Sequence, residues 1–171
     1  MKPTDRRFTP LWLVDLVRDA LGPIALDPCT EPNNPTRAER FFTAADDGLV
    51  HDWREASGGG VIWVNPPFSE MLRWSDKVQS EAHAGCEIVM LTAIDSTTRW
   101  FSRLNMRADI AAPLKRRLKF GFPAEDIQPK SAANAACMLW YFGKRDVEFL
   151  RVFRDHSHPY VPGAFCKAIQ S

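Results

Sequence analysis

The tetrapeptide Asn65-Pro66-Pro67-Phe68 directly follows the apolar run Val61-Ile62-Trp63-Val64. It therefore sets an amide, two residues of fixed φ and an aromatic ring at the end of a buried strand. Those residue types suit methyl transfer to a planar amino nitrogen. The lone pair of an exocyclic amino group is delocalised into its ring, so the nitrogen is a poor nucleophile until its two N–H groups are held. The Asn65 side-chain oxygen and the Pro66 carbonyl are both acceptors. Set at an angle, they would pyramidalise the nitrogen and turn its lone pair toward a donor, and the prolines restrict themselves and the residues before them. Phe68 offers a flat face for an extruded base, a contact worth about 1–3 kcal/mol. Asn-Pro also initiates ordinary turns, so the tetrapeptide alone leaves a reading as loop punctuation open.

Other short motifs surround this claw in a fixed order. Upstream lie Phe8-Thr9-Pro10, Leu26-Asp27-Pro28-Cys29, Phe41-Phe42-Thr43, Asp46-Asp47-Gly48-Leu49 and Asp52-Trp53, and downstream lies Arg117-Leu118-Lys119-Phe120-Gly121. Together with the claw they make the chain resemble the small phage and prophage DNA N6-adenine methyltransferases, the phage Dam family, over residues 9–142. The resemblance implies a Rossmann-like class I methyltransferase fold, S-adenosylmethionine as methyl donor and double-stranded DNA as substrate. It also implies that Thr9 and Pro10 lie near the methionine portion of the donor, and Asp27, followed by Pro28, near its ammonium group. One of Asp46 and Asp47 would meet the ribose hydroxyls, and Asp52 the adenine amino group. Each role is chemically sound, because a carboxylate accepts strongly from such donors. The chain departs from larger methyltransferases after Asp27, where Pro28-Cys29-Thr30-Glu31-Pro32 replaces a glycine-rich turn. Asp46-Asp47-Gly48 also reads as a plain surface turn.

Direct transfer needs no enzyme nucleophile, and the only Pro-Cys pair, Pro28-Cys29, lies in the donor loop instead of at the claw. The claw itself does not separate adenine N6 from cytosine N4, RNA guanine N2 or a protein glutamine amide. A non-catalytic DNA-binding module of the same fold is the alternative from a different class.

DNA contact is expected in the stretch around Lys115, Arg116, Arg117, Lys119 and Phe120, where cations interleave with aromatics, and in an irregular loop running on to Asn134. A solvated basic edge with Phe120 and Phe122 in the core is the other reading of this segment. Arg99-Trp100-Phe101 would either line the substrate cleft or join the core. His156-Ser157-His158 is too short a pattern for a metal site, and none is expected.

The elements that must position these groups alternate in period. Helices are predicted over 10–22, 70–84, 97–106 and 146–153, and strands over 24–26, 61–64, 87–91, 110–112 and 135–142. Such alternation implies an α/β fold, a mostly parallel sheet with helices on both faces, and places Asp27 and Asn65 at carboxyl ends of strands, where ligands gather. Residues 1–171 suit one domain without a separate target-recognition domain, so either recognition is brief or a homodimer holds the DNA. Twenty-two basic and 21 acidic residues exclude a bulk polyanion binder, so nucleic-acid contact must be local. No stretch reads as a membrane span or secretory leader, which makes the cytoplasm, a host's if phage-encoded, the expected location. Cys29, Cys86, Cys137 and Cys166 have neither zinc spacing nor paired motifs and read as reduced thiols.

Overall fold

The computed structural model describes residues 8–121 and 136–162. In chain order its elements are α1 (Leu11–Leu21), β1 (Ile24–Asp27), β2 (Arg40–Phe41), α2 (Trp53–Ser57), β3 (Val61–Val64), a 3-10 turn (Phe68–Glu70), α3 (Met71–His83), β4 (Ile88–Ala93), α4 (Arg99–Arg107), β5 (Ile110–Pro113), β6 (Cys137–Phe142) and α5 (Asp146–Phe153). Every residue of β1, β3 and β6 is buried, as expected of strands covered on both faces.

The six strands form one sheet in the order β2-β1-β3-β4-β6-β5. Pairings β1–β2, β1–β3 and β3–β4 are parallel, whereas β6 runs antiparallel to both β4 and β5. The sheet is therefore mixed, which corrects the expectation of a mostly parallel one at its β5–β6 end. A continuous apolar run such as Cys137–Phe142 specifies burial but carries no information about direction.

Alternating side chains along the strands build two cores. On one face Leu13, Val17, Phe149 and Phe153 of α1 and α5 pack over Val61, Trp63, Val89, Leu139 and Tyr141. On the other, Trp53, Trp74, Val78 and Leu104 of α2, α3 and α4 pack over Ile62, Val64, Met90, Met138 and Trp140. Each fully buried large apolar side chain contributes about 1.5–3 kcal/mol of transfer free energy.

Several boundaries follow local chemistry. Pro10 precedes α1 and Gly22, at φ 87°, stops it. Thr98 caps α4, accepting from the Phe101 N–H at 3.4 Å. Two elements, β2 and α2, escape the sequence reading because neither is long enough for its pattern to repeat. Gly58 is the left-handed C-cap of α2 at φ 57°. Cys29, Cys86 and Cys137 lie among the described residues, and Cys166 lies outside them. Among the described residues no helix is long and apolar enough to cross a membrane.

A polar knot closes the amino end of the sheet. The Glu87 carboxylate accepts from Tyr141 Oη at 2.6 Å and from Arg145 Nε at 3.0 Å. Arg145 also donates through Nη1 to the Leu21 carbonyl at 2.9 Å, and its backbone N–H donates to Tyr141 Oη at 2.7 Å. This joins α1, β6 and the start of α5 to the residue that precedes β4. Burial, then the bond to Glu87, push the Tyr141 hydroxyl above its ordinary range. Tyr141→Phe removes one donor and one acceptor from the knot and is expected to cost about 1–2 kcal/mol in chemical denaturation. An unchanged midpoint would show that the knot is redundant.

Candidate active site

The chain leaves β1 for the edge strand β2 and then returns past β1 to β3. This reversal opens a crevice at the carboxyl ends of β1 and β3, the usual place for a ligand in an open α/β sheet. Asp27 is the last residue of β1, and Asn65 immediately follows β3. Between them lies a cleft of about 260 Å³ bordered by Thr9, Asp27, Cys29, Asn65, Pro67 and Trp74, among others.

One wall is the connection from β1 to β2. It contains no helix and is held by turns in which Asn34 and Arg37 adopt positive φ. The Asn34 side chain donates to the Ala38 carbonyl at 2.9 Å and accepts from the Ala38 N–H at 3.1 Å. Thr36 is thereby placed to donate its hydroxyl to Asp27 Oδ2 at 2.6 Å, while the Cys29 N–H donates to Oδ1 at 3.2 Å. Asp27 is only 2% exposed. Burial raises its carboxyl from 3.8 to about 6, against the lowering effect of these hydrogen bonds. Burial, then the neighbouring Asp27, push the Cys29 thiol well above its ordinary value, so it is not a ready nucleophile at neutral pH.

The opposite wall is the segment between β2 and α2. Its closeness to the first wall depends on Gly48, where a Cβ would lie 1.9 Å from the Pro28 carbonyl oxygen. Trp53 Nε1 donates to the Gly48 carbonyl at 2.7 Å and fixes it from behind. Asp47 lines the cleft. Asp46 does not: its Oδ2 accepts from both the N–H and the hydroxyl of Thr43 at 2.8 Å, which holds its exposed carboxyl below the ordinary value. Asp52 also stands apart from the cleft lining. It is the N-cap of α2, accepting from the Glu55 N–H at 2.9 Å.

At the claw, Asn65 Nδ2 donates to Thr9 Oγ1 at 3.1 Å. Asn65 and Pro67 line the cleft, while Pro66 is buried beside them. Half-buried Phe68 meets Phe120 edge to face, with ring centroids 6.2 Å apart. Thr9 and Pro28 also border the cleft, whereas Pro10 serves as the boundary of α1.

The basic segment divides by side chain. Arg116, Arg117 and Lys119 are exposed, but Leu118 and Phe120 are buried. Phe120 therefore belongs to the core, as the other reading of this stretch anticipated. Lys115 Nζ is committed to the carbonyls of Arg154 and Asp155 at 3.0 and 3.2 Å. The loop expected to run on to Asn134, including Phe122, lies outside the described residues. Trp100 and Phe101 pack against the α2–α4 core, Phe101 meeting Trp140 at 5.1 Å, and neither borders the cleft. The His156 N–H bonds the Phe153 carbonyl, as does Ser157 Oγ at 2.7 Å, so this tripeptide terminates α5.

Sequence reasoning missed Thr36 and Gly48. A threonine in a helix-free connection carries no positional signal, and Asp47-Gly48 has the composition of any turn.

A mixed α/β sheet thus carries a crevice at its switch point, with Asn65 and Pro67 on its border. The family described as DNA N-6-adenine-methyltransferase (Dam) matches residues 2–154, and the chain belongs to that family. Comparison with curated proteins returns no match.

Two outcomes test the cleft. Folding takes up a proton at Asp27 between the unfolded value of 3.8 and the folded value of about 6, so stability falls as pH rises through that window and the cost persists above it. Asp27→Asn is expected to melt above the parent at pH 7.5, with the advantage vanishing by about pH 4; parallel profiles would sink this account. Gly48→Ala forces the two walls apart and is expected to cost about 1–3 kcal/mol in thermal melts, with an unchanged stability showing that the walls yield freely.

Proposed function

We propose that this enzyme transfers a methyl group from S-adenosylmethionine to N6 of an adenine flipped out of DNA, on a Rossmann-like class I methyltransferase fold. The observation that carries the reading is the convergence of Asn65, Pro67 and the buried Asp27 on one cleft. The charges around it fit the donor. Among the described residues, Asp27, Glu31, Asp47 and Glu70 line the cleft against one cation, Arg73, and S-adenosylmethionine carries both an ammonium and a sulfonium. When bound, it supplies a methyl group on positively charged sulfur.

The chain's own residues do the rest. Asp27 takes the ammonium group, which favours its ionised form and draws its raised pKa back down. Asp47, and not Asp46, is the carboxylate placed for the ribose hydroxyls, and Thr9 flanks the methionine portion. The adenine-amino role that the resemblance implied for Asp52 is not taken up, because that carboxylate caps α2. Asn65 Oδ1 and the Pro66 carbonyl accept the two N–H groups of the target base. Oδ1 is shielded from solvent, and an acceptor in such surroundings pulls harder on a donor that reaches it. Phe68 bears on the base. The proton leaves for water after methyl transfer, with positioning and fixed acceptors supplying the catalysis.

Flipping the adenine costs a few kcal/mol. Arg116, Arg117 and Lys119 offset part of that cost by contacting phosphates, each contact adding about 0.9 to the slope of log affinity against log salt.

The test is nucleoside mass spectrometry of unmethylated DNA after incubation with donor and enzyme, beside Asn65→Ala. N6-methyl-2′-deoxyadenosine from the parent, falling at least about a hundredfold in the variant, is the expected result. N4-methylcytosine would overturn the base assignment. Full activity in Asn65→Ala would overturn the claw, and absence of donor binding by calorimetry would point to a DNA-binding module.

A further inference from the structure

Thr9 is buried, and its hydroxyl meets Asn65 across the cleft mouth from the other end of the chain fold. Its position is set from both sides. The preceding residue, Phe8, exchanges two backbone hydrogen bonds with Gly121, at 2.8 and 3.0 Å. The following residue, Pro10, opens α1, its carbonyl accepting from the Leu13 N–H at 3.0 Å. Thr9 Oγ1 is thereby held beside the Asn65 amide, where it accepts from Nδ2.

An asparagine amide has two ends of nearly equal size and opposite chemistry. Oδ1 only accepts, and Nδ2 only donates. A claw that draws on an amino nitrogen needs the oxygen. The flipped amide would oppose its own N–H groups to those of the base. In a solvent-shielded site the nitrogen's hydrogens are the costlier atoms to leave without a partner, since orphaned N–H groups are rarer inside proteins than under-satisfied carbonyls. Thr9 Oγ1 meets one of them.

We infer that Thr9 is a positioning residue, which holds the Asn65 amide with its oxygen directed to the target nitrogen. The inference rests on the claw reading of Asn65 and adds to it a selective role for a residue that the resemblance assigned only to the donor. It also gives the pairing of Phe8 with Gly121 a purpose. The segment bearing Arg116 and Lys119 ends two backbone hydrogen bonds away from the group that orients the claw.

Steady-state kinetics of Thr9→Val, Thr9→Ala and Thr9→Ser on the full chain test this, with donor affinity measured by calorimetry. Loss of the hydroxyl is expected to lower kcat about tenfold, the equivalent of one net hydrogen bond. The KM for DNA is expected to stay within about twofold, and Thr9→Ser to recover kcat to within about threefold of the parent. Three results would overturn the inference: an unchanged kcat in both hydroxyl-free variants, a loss that appears in donor affinity instead of turnover, or failure of serine to rescue. Asn65→Ala separates the two levels. If it keeps full turnover, the claw reading fails. If it loses turnover while Thr9→Val keeps it, only the role of Thr9 fails.

Discussion

The parallel pairing of β1 with β3 is the constraint on which the rest of the molecule depends. Leu26 lies opposite Ile62, and the register shifts by a bulge between Ile24 and Leu26. That shift accommodates the close approach of Gly60 to Ala25, where a Cβ would come within 2.5 Å of the alanine methyl. With the register so fixed, the two strands deliver Asp27 and Asn65 to the same edge. A slip of one residue would send each side chain to the opposite face of the sheet. The remaining elements preserve this pairing. β4 holds β3 from its far side, and the cores on both faces stop the strands from shearing.

The carboxylates in and around the cleft differ in their surroundings. Asp27 is kept away from water and accepts from Thr36, Cys29 and Thr30, and none of these donors carries a positive charge. Asp46 and Asp52 already satisfy backbone N–H groups nearby. The carboxylates differ in place: Asp27 and Asp47 line the cleft, while Asp46 and Asp52 brace a turn and a helix end outside its lining.

That difference also explains what the sequence disclosed. Asn65 and Asp27 were legible because each terminates an apolar run, and strand ends in an α/β fold converge on ligands. The roles of Asp46, Asp47 and Asp52 were not legible, since a cap, a turn brace and a ligand contact share one composition and separate only when backbone donors are in place. Phe120 shows the same limit from the apolar side: alternation with cations suited base stacking, but Leu118 and Phe120 turn inward while Arg116, Arg117 and Lys119 turn outward. The helices were legible from period, yet β2 and α2 were too short to show one. The direction of β6 was invisible because hydrophobicity has no polarity along the chain.

The reversal of β6 bears on the connection that leads into it. Because β5 runs with the parallel strands and β6 against them, the connection 114–136 both departs from and returns to the edge that carries the claw. Lengthening a tethered connection costs only about 0.6 kcal/mol per doubling. Its described part is nonetheless tied down, because Leu118 and Phe120 fill the core and Gly121 pairs with Phe8. A change within residues 114–121 is therefore felt by α1 and by Thr9 as well as by the sheet edge, so this stretch couples the last two strands to the start of the chain's first helix.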